Sequence, residues 1–515
     1  MRLLQSTAIV SGMTLLSRMV GFVRDAVIAQ RFGVSAATDA FFVAFRIPNL
    51  LRRFFAEGSF SLAFVPVLAE VKARGDEAEL RELIDRVAGT LGAVLLVVSA
   101  LGVLVAPLIV MLFAPGFIDR PEQFALTVEM LRLTFPYILL ISLVGFAGGI
   151  LNSYGRFAVP AASPVLLNLA LISAALFGVY WFDPPIVALA CGVLLGGLLQ
   201  LLMQIPALSR LGLLPRPRWG WQFAGVRKIL KLMIPTLFGS SVAQINLLVD
   251  TVIASFLIAG SVSWLYYAER LLEFPLGVFG VALSTVILPN LSAHHSNARG
   301  EDFSRALDWG LRVGLLIAIP ASLSLLLLAE PLLWTLFGYR QFDAEDVRMA
   351  GLALMALGLA LPAFILVKIL APGFYARQDT RTPVKAGILA MLANMLLNLL
   401  IVGALVWQGS TAPHAGLAVA SMLSGWLNFA LLLRWLRQAG AYQPREGWPR
   451  YALQLGLGGL LLAGWFLLAP RWLQPFAELG GLARLLQVLA VLAVGGLLYG
   501  AALLASGIRP AQFRR

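Results

Sequence analysis

The sequence predicts an all-α protein that crosses a membrane many times. Of its 515 residues, 60% are hydrophobic and only 13% are charged, and the mean hydropathy is +0.86. Soluble globular domains carry about 25% charged residues. The apolar residues form repeated runs of about 20 or more, the length that an α-helix needs to cross the hydrocarbon of a bilayer. We therefore predict about fourteen transmembrane helices.

The predicted spans begin near the N-terminus and continue almost to the end of the chain. Their approximate bounds are 6–30, 37–68, 87–113, 124–151, 158–181, 186–208, 227–258, 262–291, 305–328, 346–375, 384–407, 414–436, 451–469 and 482–505. Arg18, Arg24 and Asp25 interrupt the first apolar run, and no small-residue cleavage site follows it. We expect this run to be retained as the first span and not removed as a signal peptide.

The basic residues predict the orientation of these spans. If the N-terminus is cytoplasmic, most lysines and arginines outside the spans fall in inner connections such as 72–86, 210–228 and 377–385. The outer connections hold few, which is the distribution that membrane insertion favours. Both termini should therefore be cytoplasmic, and the net charge of +13 is explained without nucleic-acid binding.

The chain also repeats itself at a spacing of about 225 residues, as between Asp25 and Asp250. LVDTVIASFLIAG echoes VRDAVIAQRFG, and Pro136 and Pro362 begin similar stretches. We predict two six-helix lobes, 1–208 and 227–436, joined by an interfacial linker at 209–226. Two further helices, at 451–505, lie outside the repeat. Parallel repeats of this kind are typical of transporters.

Ionised side chains interrupt the first two spans. They are Arg18, Arg24, Asp25, Asp39, Arg46, Arg52, Arg53 and Glu57. A charge at the bilayer centre costs about 3 kcal/mol, so such residues usually face a protein interior or a water-filled cavity. Guanidinium groups match phosphate and carboxylate geometry, which favours a cavity for an anion. The alternative is that the arginines pair with the acidic residues or reach the headgroups, and for Arg46 and Arg53 both interpretations stay open.

The second lobe contains a comparable charged segment, YYAERLLEFPLGVFG, in its second span. Arg270 and Glu273 are three residues apart there and can pair on one helix face. By the repeat, this helix corresponds to the one that carries Arg46, so we expect both to line a cavity between the lobes. A local ion pair that serves only helix packing is the alternative.

Metal and nucleotide chemistry find little support in the sequence. One cysteine and three histidines offer no plausible zinc or haem spacing, and no phosphate-binding loop of the GxxxxGK[ST] type is present. Asp250, Asn394 and Asn398 are oxygen-bearing residues in apolar spans, and they are candidate ligands for a monovalent cation. The alternative is that the Asp250 carboxylate is hydrogen-bonded and stabilises helix contacts.

Three stretches, RMVGFVRDAVIAQRFG, ATDAFFVAFRIPNLLRRFFAEGSFSLAFVPVLAE and YYAERLLEFPLGVFGVALSTVILPNLS, resemble the MurJ (MviN) family of bacterial lipid II flippases. That family belongs to the multidrug/oligosaccharidyl-lipid/polysaccharide (MOP) exporter superfamily. The resemblance implies a non-enzymatic transporter of the cytoplasmic (inner) membrane that moves lipid II to the periplasmic leaflet by alternating access, for peptidoglycan synthesis. Lipid II is undecaprenyl-pyrophosphate-linked disaccharide-pentapeptide.

The resemblance also implies functional residues and partners. Arg18, Arg24, Arg52 and Arg270 match the family's important arginines, and Ser17, Asp25, Asp39, Arg53, Glu57 and Glu273 accompany them as expected substrate-site residues. The last two helices should form a groove for the lipid tail. We expect no cofactor, with Na⁺ or the membrane potential as driving force, and lipid II, membrane lipids and cell-wall synthesis proteins as partners. The alternatives are a drug or polysaccharide-lipid exporter of the same superfamily, or a scaffold or enzyme of the same pathway.

Overall fold

The computed structural model describes residues 2–52, 59–280, 283–284, 287–289, 291–292, 300–469 and 473–509. The regular structure in these ranges is helical, without a strand. The α-helices are α1 Arg2–Phe32, α2 Ala36–Arg52, α3 Ser59–Ala73, α4 Glu77–Leu104, α5 Ala106–Phe113, α6 Pro121–Thr134, α7 Tyr137–Ser153, α8 Ala158–Leu176, α9 Val187–Arg210, α10 Ala224–Ser255, α11 Ser261–Pro275, α12 Gly300–Leu327, α13 Ala329–Leu336, α14 Ala344–Tyr375, α15 Arg381–Trp407, α16 Ala415–Gln438, α17 Trp448–Leu468 and α18 Gly481–Ala505.

The lengths and compositions of these helices fit a membrane protein. Within the described ranges, 10 helical segments are long and apolar enough to cross a bilayer, and each coincides with a predicted span. The prediction of an all-α polytopic membrane protein is confirmed, while the count of fourteen spans stays a prediction. The other four predicted spans are 6–30, 37–68, 227–258 and 262–291, which are the ones that carry the ionised candidate residues.

Residue contacts divide the chain into two units, Met1–Val262 and Ser263–Arg515. Helix α10 belongs to the first unit because it packs against α3 and α4. The sequence repeat places the same helix at the beginning of the second lobe, but the lobe bounds describe the repeat and stay a prediction.

In the first unit, α8 packs between α1 and α9, and α2 packs against α6. A second core joins α3, α4, α7 and α10, where the rings of Phe60, Phe64 and Phe146 pack together with centroids 5.1–6.3 Å apart. At the edge of this core, Lys228 on α10 donates to the exposed Glu70 on α3. The Lys228 hydrogen bond and charge lower the pKa of Glu70.

Of the predicted linker 209–226, residues 211–223 form an irregular connection between α9 and α10, and part of this connection lies on α4. Arg86 Nη1 donates to the carbonyl oxygen of Trp219 at 2.7 Å, and the Arg218 amide donates to the carbonyl oxygen of Asp85 at 3.0 Å. Gly89 permits this close approach, since a Cβ there would lie 2.2 Å from the Arg218 carbonyl oxygen. The segment is therefore docked on the first unit over at least residues 216–220.

In the second unit, α14 is the central helix and packs against α12, α13 and α16. Its Asp343 side chain accepts from the Asp346 amide and forms a capping box, which defines where the helix begins. The last two helices, α17 and α18, pack against each other, and α17 also packs against α12. Two polar clusters, which we call the Asp308 clamp and the Arg484 clamp, hold the beginnings of α17 and α18.

The Asp308 clamp joins α12 to the connection before α17. The Asp308 carboxylate is 2% exposed and accepts from Trp448 Nε1 at 2.7 Å, the Tyr442 hydroxyl at 3.1 Å and Arg312 Nε at 2.8 Å. Burial and the Asp308 charge raise the pKa of Tyr442. Because several donors converge on one carboxylate, this connection has a single defined position on α12.

The Arg484 clamp joins α18 to the end of α13. Arg484 is 5% exposed and donates from Nε to the Phe476 carbonyl oxygen at 2.6 Å and from Nη1 to the carbonyl oxygens of Trp334, at 3.0 Å, and Gly338. Its guanidinium carbon also lies 5.0 Å from the ring centroids of Trp334 and Tyr339. A buried cation at the carbonyl end of a helix is favourable because the helix dipole is negative there. The sequence analysis did not single out this residue.

Candidate functional site

Arg24 on α1 is the most buried of the predicted substrate arginines that the structure describes, with 7% of its surface exposed. Its Nε and Nη2 atoms both donate to Asp25 Oδ1, at 2.8 and 2.6 Å, and its Nη1 donates to Asn168 Oδ1 on α8 at 3.0 Å. Asn168 in turn donates to the Ser17 carbonyl oxygen at 3.2 Å. The guanidinium is thus held in one orientation by a neighbouring carboxylate and by a second helix.

The partner of Asp25 differs from the one that helical spacing suggests. Arg18 and Asp25 are seven residues apart and share a stripe, but the Asp25 carboxylate, which is 0% exposed, binds Arg24. Arg18 is half-buried, and it makes no hydrogen bond or ion pair with the part of the chain that the structure describes. Asp25 therefore neutralises Arg24, whereas Arg18 has no such partner among the described residues.

The charged residues of α2 are tied to other parts of the first unit. The buried Asp39 accepts from the Gly260 amide at 2.7 Å, and Arg46 Nη1 donates to Thr251 Oγ1 on α10 at 2.7 Å. Arg52, which is half-buried, donates from Nε to Asn49 Oδ1 at 2.8 Å. The hydrogen bond from Arg46 to Thr251 favours the interpretation that Arg46 stabilises helix packing.

Two predicted site residues, Arg53 and Glu57, lie outside the described residues. Their roles, including the choice between function and structure for Arg53, stay predictions.

Arg270 and Glu273 form the ion pair that their spacing predicts in the second unit. Arg270 Nη1 donates to Glu273 Oε2 at 3.0 Å, and the Arg270 and Glu273 side chains are 24% and 56% exposed. The pair is more accessible than the Arg24 and Asp25 pair of the first unit. An accessible pair is only weakly stabilising, so packing alone is a weak reason for charges on this apolar helix.

The candidate cation ligands fall into both units. In the second unit, Asn394 and Asn398 on α15 are 0% exposed and share a 2.9 Å hydrogen bond. Asn394 also donates to the hydroxyl oxygens of Ser421 and Ser424 on α16, at 3.3 and 3.4 Å. Asp250 is a buried residue of the first unit, on α10. Amide and hydroxyl oxygens of this kind are ligands that a hard cation accepts.

His, Cys, Asp and Glu do not gather in groups of three or more that could hold a metal anywhere in the described ranges.

Sequence reasoning passed over two polar residues inside spans. Asn168 on α8 accepts a hydrogen bond from Arg24 Nη1 and helps to fix its orientation. Lys368 on α14 lies close to Gly280, where an added Cβ would be 3.0 Å from Lys368 Cδ. It makes no hydrogen bond or ion pair within the described residues. Both were detectable by the same signal as the arginines, a polar residue within an apolar run.

Helices that cross a membrane many times, with guanidinium groups inside the spanning segments, define a class: a multi-pass helical transporter for an anionic substrate. The chain belongs to the lipid II flippase MurJ family, since that family's model matches residues 28–481.

Individual relatives agree with this assignment. A probable lipid II flippase MurJ from Haemophilus influenzae is 46% identical over 512 residues, covering 96% of this chain and 98% of the relative. A lipid II flippase MurJ from Burkholderia cenocepacia is 44% identical over 522 residues, covering 100% and 99%.

Solved structures show the same fold. A lipid II flippase MurJ in an inward closed conformation matches with a TM-score of 0.78 at 26% identity, covering 96% of this chain and 99% of that chain. A multidrug resistance MATE family transporter of the MOP superfamily, in an inward-facing conformation, matches with a TM-score of 0.65 at 16% identity, covering 82% and 94%. The second likeness concerns the fold alone.

Proposed function

We propose that this chain moves lipid II across the membrane, from the cytoplasmic to the periplasmic leaflet, by alternating access. Family membership supports the substrate, and the arginines of α1 supply the chemistry. Among the polar groups of lipid II, the pyrophosphate is a concentrated anion, and it loses water on entering an apolar protein. Release at the outer leaflet would deliver the precursor to the enzymes that build the cell wall, which are the implied partners.

The observation that carries this proposal is the contrast between Arg18 and Arg24 on α1. Arg24 is locked by Asp25 and Asn168, whereas Arg18, six residues away, is half-buried without a hydrogen-bonding partner in the described chain. A guanidinium inside a spanning segment needs an anion, and a pyrophosphate oxygen is a suitable one. The predicted contributions of Arg52 and Arg270 are part of the same proposal.

Depletion of the protein in its own cells tests the function directly. We expect lipid II to accumulate on the cytoplasmic leaflet, measured by its accessibility to an externally added, lipid II-cleaving enzyme in spheroplasts. Cells that retain the protein but are treated with an inhibitor of peptidoglycan polymerisation are the control, because their lipid II accumulates outside. Unchanged external accessibility after depletion would contradict transport and favour a drug exporter or a scaffold.

The proposed location is the cytoplasmic (inner) membrane of a bacterium, with both termini in the cytoplasm. The excess of basic residues in alternate connections supports this orientation. We expect single cysteines at Ser35, Asp183 and Ser410 to react with an impermeant maleimide in intact cells, and cysteines at Gly75, Gly300 and Gln443 to react only after permeabilisation. Reversed labelling of the second group would contradict the orientation.

We further propose that a monovalent cation, sodium in the first instance, couples to transport through Asp250, Asn394 and Asn398. The buried oxygen cluster around Asn394 supports this role. Asp250→Asn removes a charge that the cation would neutralise, so we expect transport to lose its dependence on sodium. Asn428→Asp on α16 serves as a control for altered amide chemistry elsewhere in a span. If Asp250→Asn leaves both transport and its sodium dependence unchanged, the membrane potential becomes the driving force to test.

A further inference from the structure

Helix α6 of the first unit carries a carboxylate and a guanidinium on one face, and the protein satisfies neither. Glu129 and Arg132 are three residues apart and both exposed, and within the described chain neither makes a hydrogen bond or an ion pair. The same spacing near the beginning of α14 gives a closed pair, since Arg348 donates to Glu345 at 2.9 and 2.6 Å. A spacing of three residues therefore permits an ion pair, so the spacing is not the reason why Glu129 and Arg132 do not bind each other.

These two charges line a groove of about 400 Å³ between α5 and α6. The rest of its lining is apolar and consists of Pro107, Phe124, Ala125, Val128 and Leu133. On α5, the adjacent Leu108 and Leu112 are 64% and 68% exposed. Such an apolar surface is covered by lipid in a membrane, yet the groove beside it contains a carboxylate and a guanidinium. The occupant must therefore offer both apolar and charged groups.

The positions of Glu129 and Arg132 along the helix indicate which part of the bilayer the groove faces. Residues 133–152 contain no ionisable acid or base apart from Tyr137 and extend through α7. About 20 helical residues span about 30 Å, the thickness of the hydrocarbon. In the predicted orientation, Arg132 then lies at the outer boundary of the hydrocarbon. Glu129 lies about 4.5 Å further out, at a rise of about 1.5 Å per residue.

This order of charges matches one class of lipid headgroup. In a zwitterionic glycerophospholipid the phosphate lies next to the glycerol, and the ammonium lies further from the hydrocarbon. A phosphate can accept from the planar guanidinium fork of Arg132, while a primary ammonium can donate to Glu129. A purely anionic headgroup would satisfy Arg132 but would be repelled by Glu129.

We propose that the groove between α5 and α6 is a binding site for a phospholipid with a primary ammonium headgroup, such as phosphatidylethanolamine, in the outer leaflet. The phosphate binds Arg132, the ammonium binds Glu129, and the glycerol and upper acyl chain cover the apolar lining. The site is separate from the arginines of α1 and does not depend on the proposed substrate. Only its assignment to the outer leaflet depends on the predicted orientation.

Native mass spectrometry of the full chain in detergent tests the site, with phosphatidylethanolamine, phosphatidylcholine and phosphatidylglycerol as probes. We expect phosphatidylethanolamine to bind most tightly, because the quaternary ammonium of phosphatidylcholine has no N–H to donate. Glu129→Gln and Arg132→Gln should each weaken phosphatidylethanolamine binding about tenfold, the typical effect of one charge-assisted hydrogen bond. The matched control is Glu345→Gln with Arg348→Gln, which removes a pair of equal spacing and should leave binding unchanged.

Three results would overturn the proposal. They are equal binding of phosphatidylethanolamine and phosphatidylglycerol, unchanged binding in both α6 variants, and an equal loss in the α14 control. If a variant proves unfolded in a thermal melt, the proposal is tested on the unaltered chain by comparing its affinities for phosphatidylethanolamine and phosphatidylcholine. Indistinguishable affinities would contradict recognition of the ammonium.

Discussion

Arg24→Ala is expected to abolish growth support and also to lower the stability of the protein. The substitution leaves the Asp25 carboxylate, which is 0% exposed, without the guanidinium that neutralises it. Removing one partner of a buried ion pair costs about 3–5 kcal/mol. Arg18→Ala is expected to abolish growth support as well, but with an unchanged melting temperature, because Arg18 has no partner in the described chain. Complementation of a depletion strain and thermal melting in detergent measure the two effects.

A double substitution separates the two roles of Arg24. Arg24→Ala with Asp25→Asn removes both charges, so we expect most of the lost stability to return while growth support stays absent. Arg24→Lys should restore growth only in part, because an ammonium keeps the charge but cannot bind Asp25 and Asn168 in the same planar geometry. If the double variant supports growth, Arg24 serves the fold of the first unit and the substrate's pyrophosphate binds elsewhere.

Arg484→Ala is expected to destabilise the second unit by about 3 kcal/mol or more, which is a large effect for one residue. It removes a buried cation that donates to the carbonyl oxygens of Trp334, Gly338 and Phe476 and leaves these acceptors without their charged donor. We expect a lower melting temperature and faster proteolysis around residues 470–484. Arg484→Lys should recover less than half of the loss, since a lysine cannot reach both sides of the cluster at once.

The exposed Arg437, in the same unit, provides the control. Arg437→Ala removes an arginine at the end of α16 that makes no hydrogen bond or ion pair in the described chain, so its melting temperature should not change. A melting temperature for Arg484→Ala that equals the Arg437→Ala value would show that the clamp contributes nothing to stability.

The sequence predicted most of what depends on the membrane. Runs of apolar residues have one main physical solution in a bilayer, so the positions of the long helices followed from length and hydropathy alone. The candidate substrate arginines were detectable because a charge in such a run requires a reason. The partner of each charge was not predictable. Arg24 binds its neighbour Asp25 and a distant Asn168, and helical spacing alone favoured a stripe of Arg18 with Asp25.

The sequence analysis also missed Arg484 for a physical reason. Arg484 lies at the beginning of the predicted span 482–505. It was therefore counted with the charges of the outer connection that precedes this span. Its role depends on carbonyl groups at the end of α13, about 150 residues away, and backbone acceptors leave no trace in the sequence. The docking of the linker on α4 was hidden for the same reason, because backbone groups of residues 218 and 219 make key contacts.

The two clamps of the second unit determine what the final helix pair can do mechanically. Asp308 fixes the connection that leads into α17, and Arg484 fixes the first turn of α18. The helix pair α17–α18 is therefore attached to α12 at the beginning of α17 and to α13 at the beginning of α18. A helical hairpin fastened in this way cannot swing as a hinged gate. Spectroscopic labels on α12 and α17 should therefore keep one narrow distance distribution throughout turnover, and any lateral opening for a lipid tail must come from the displacement of other helices.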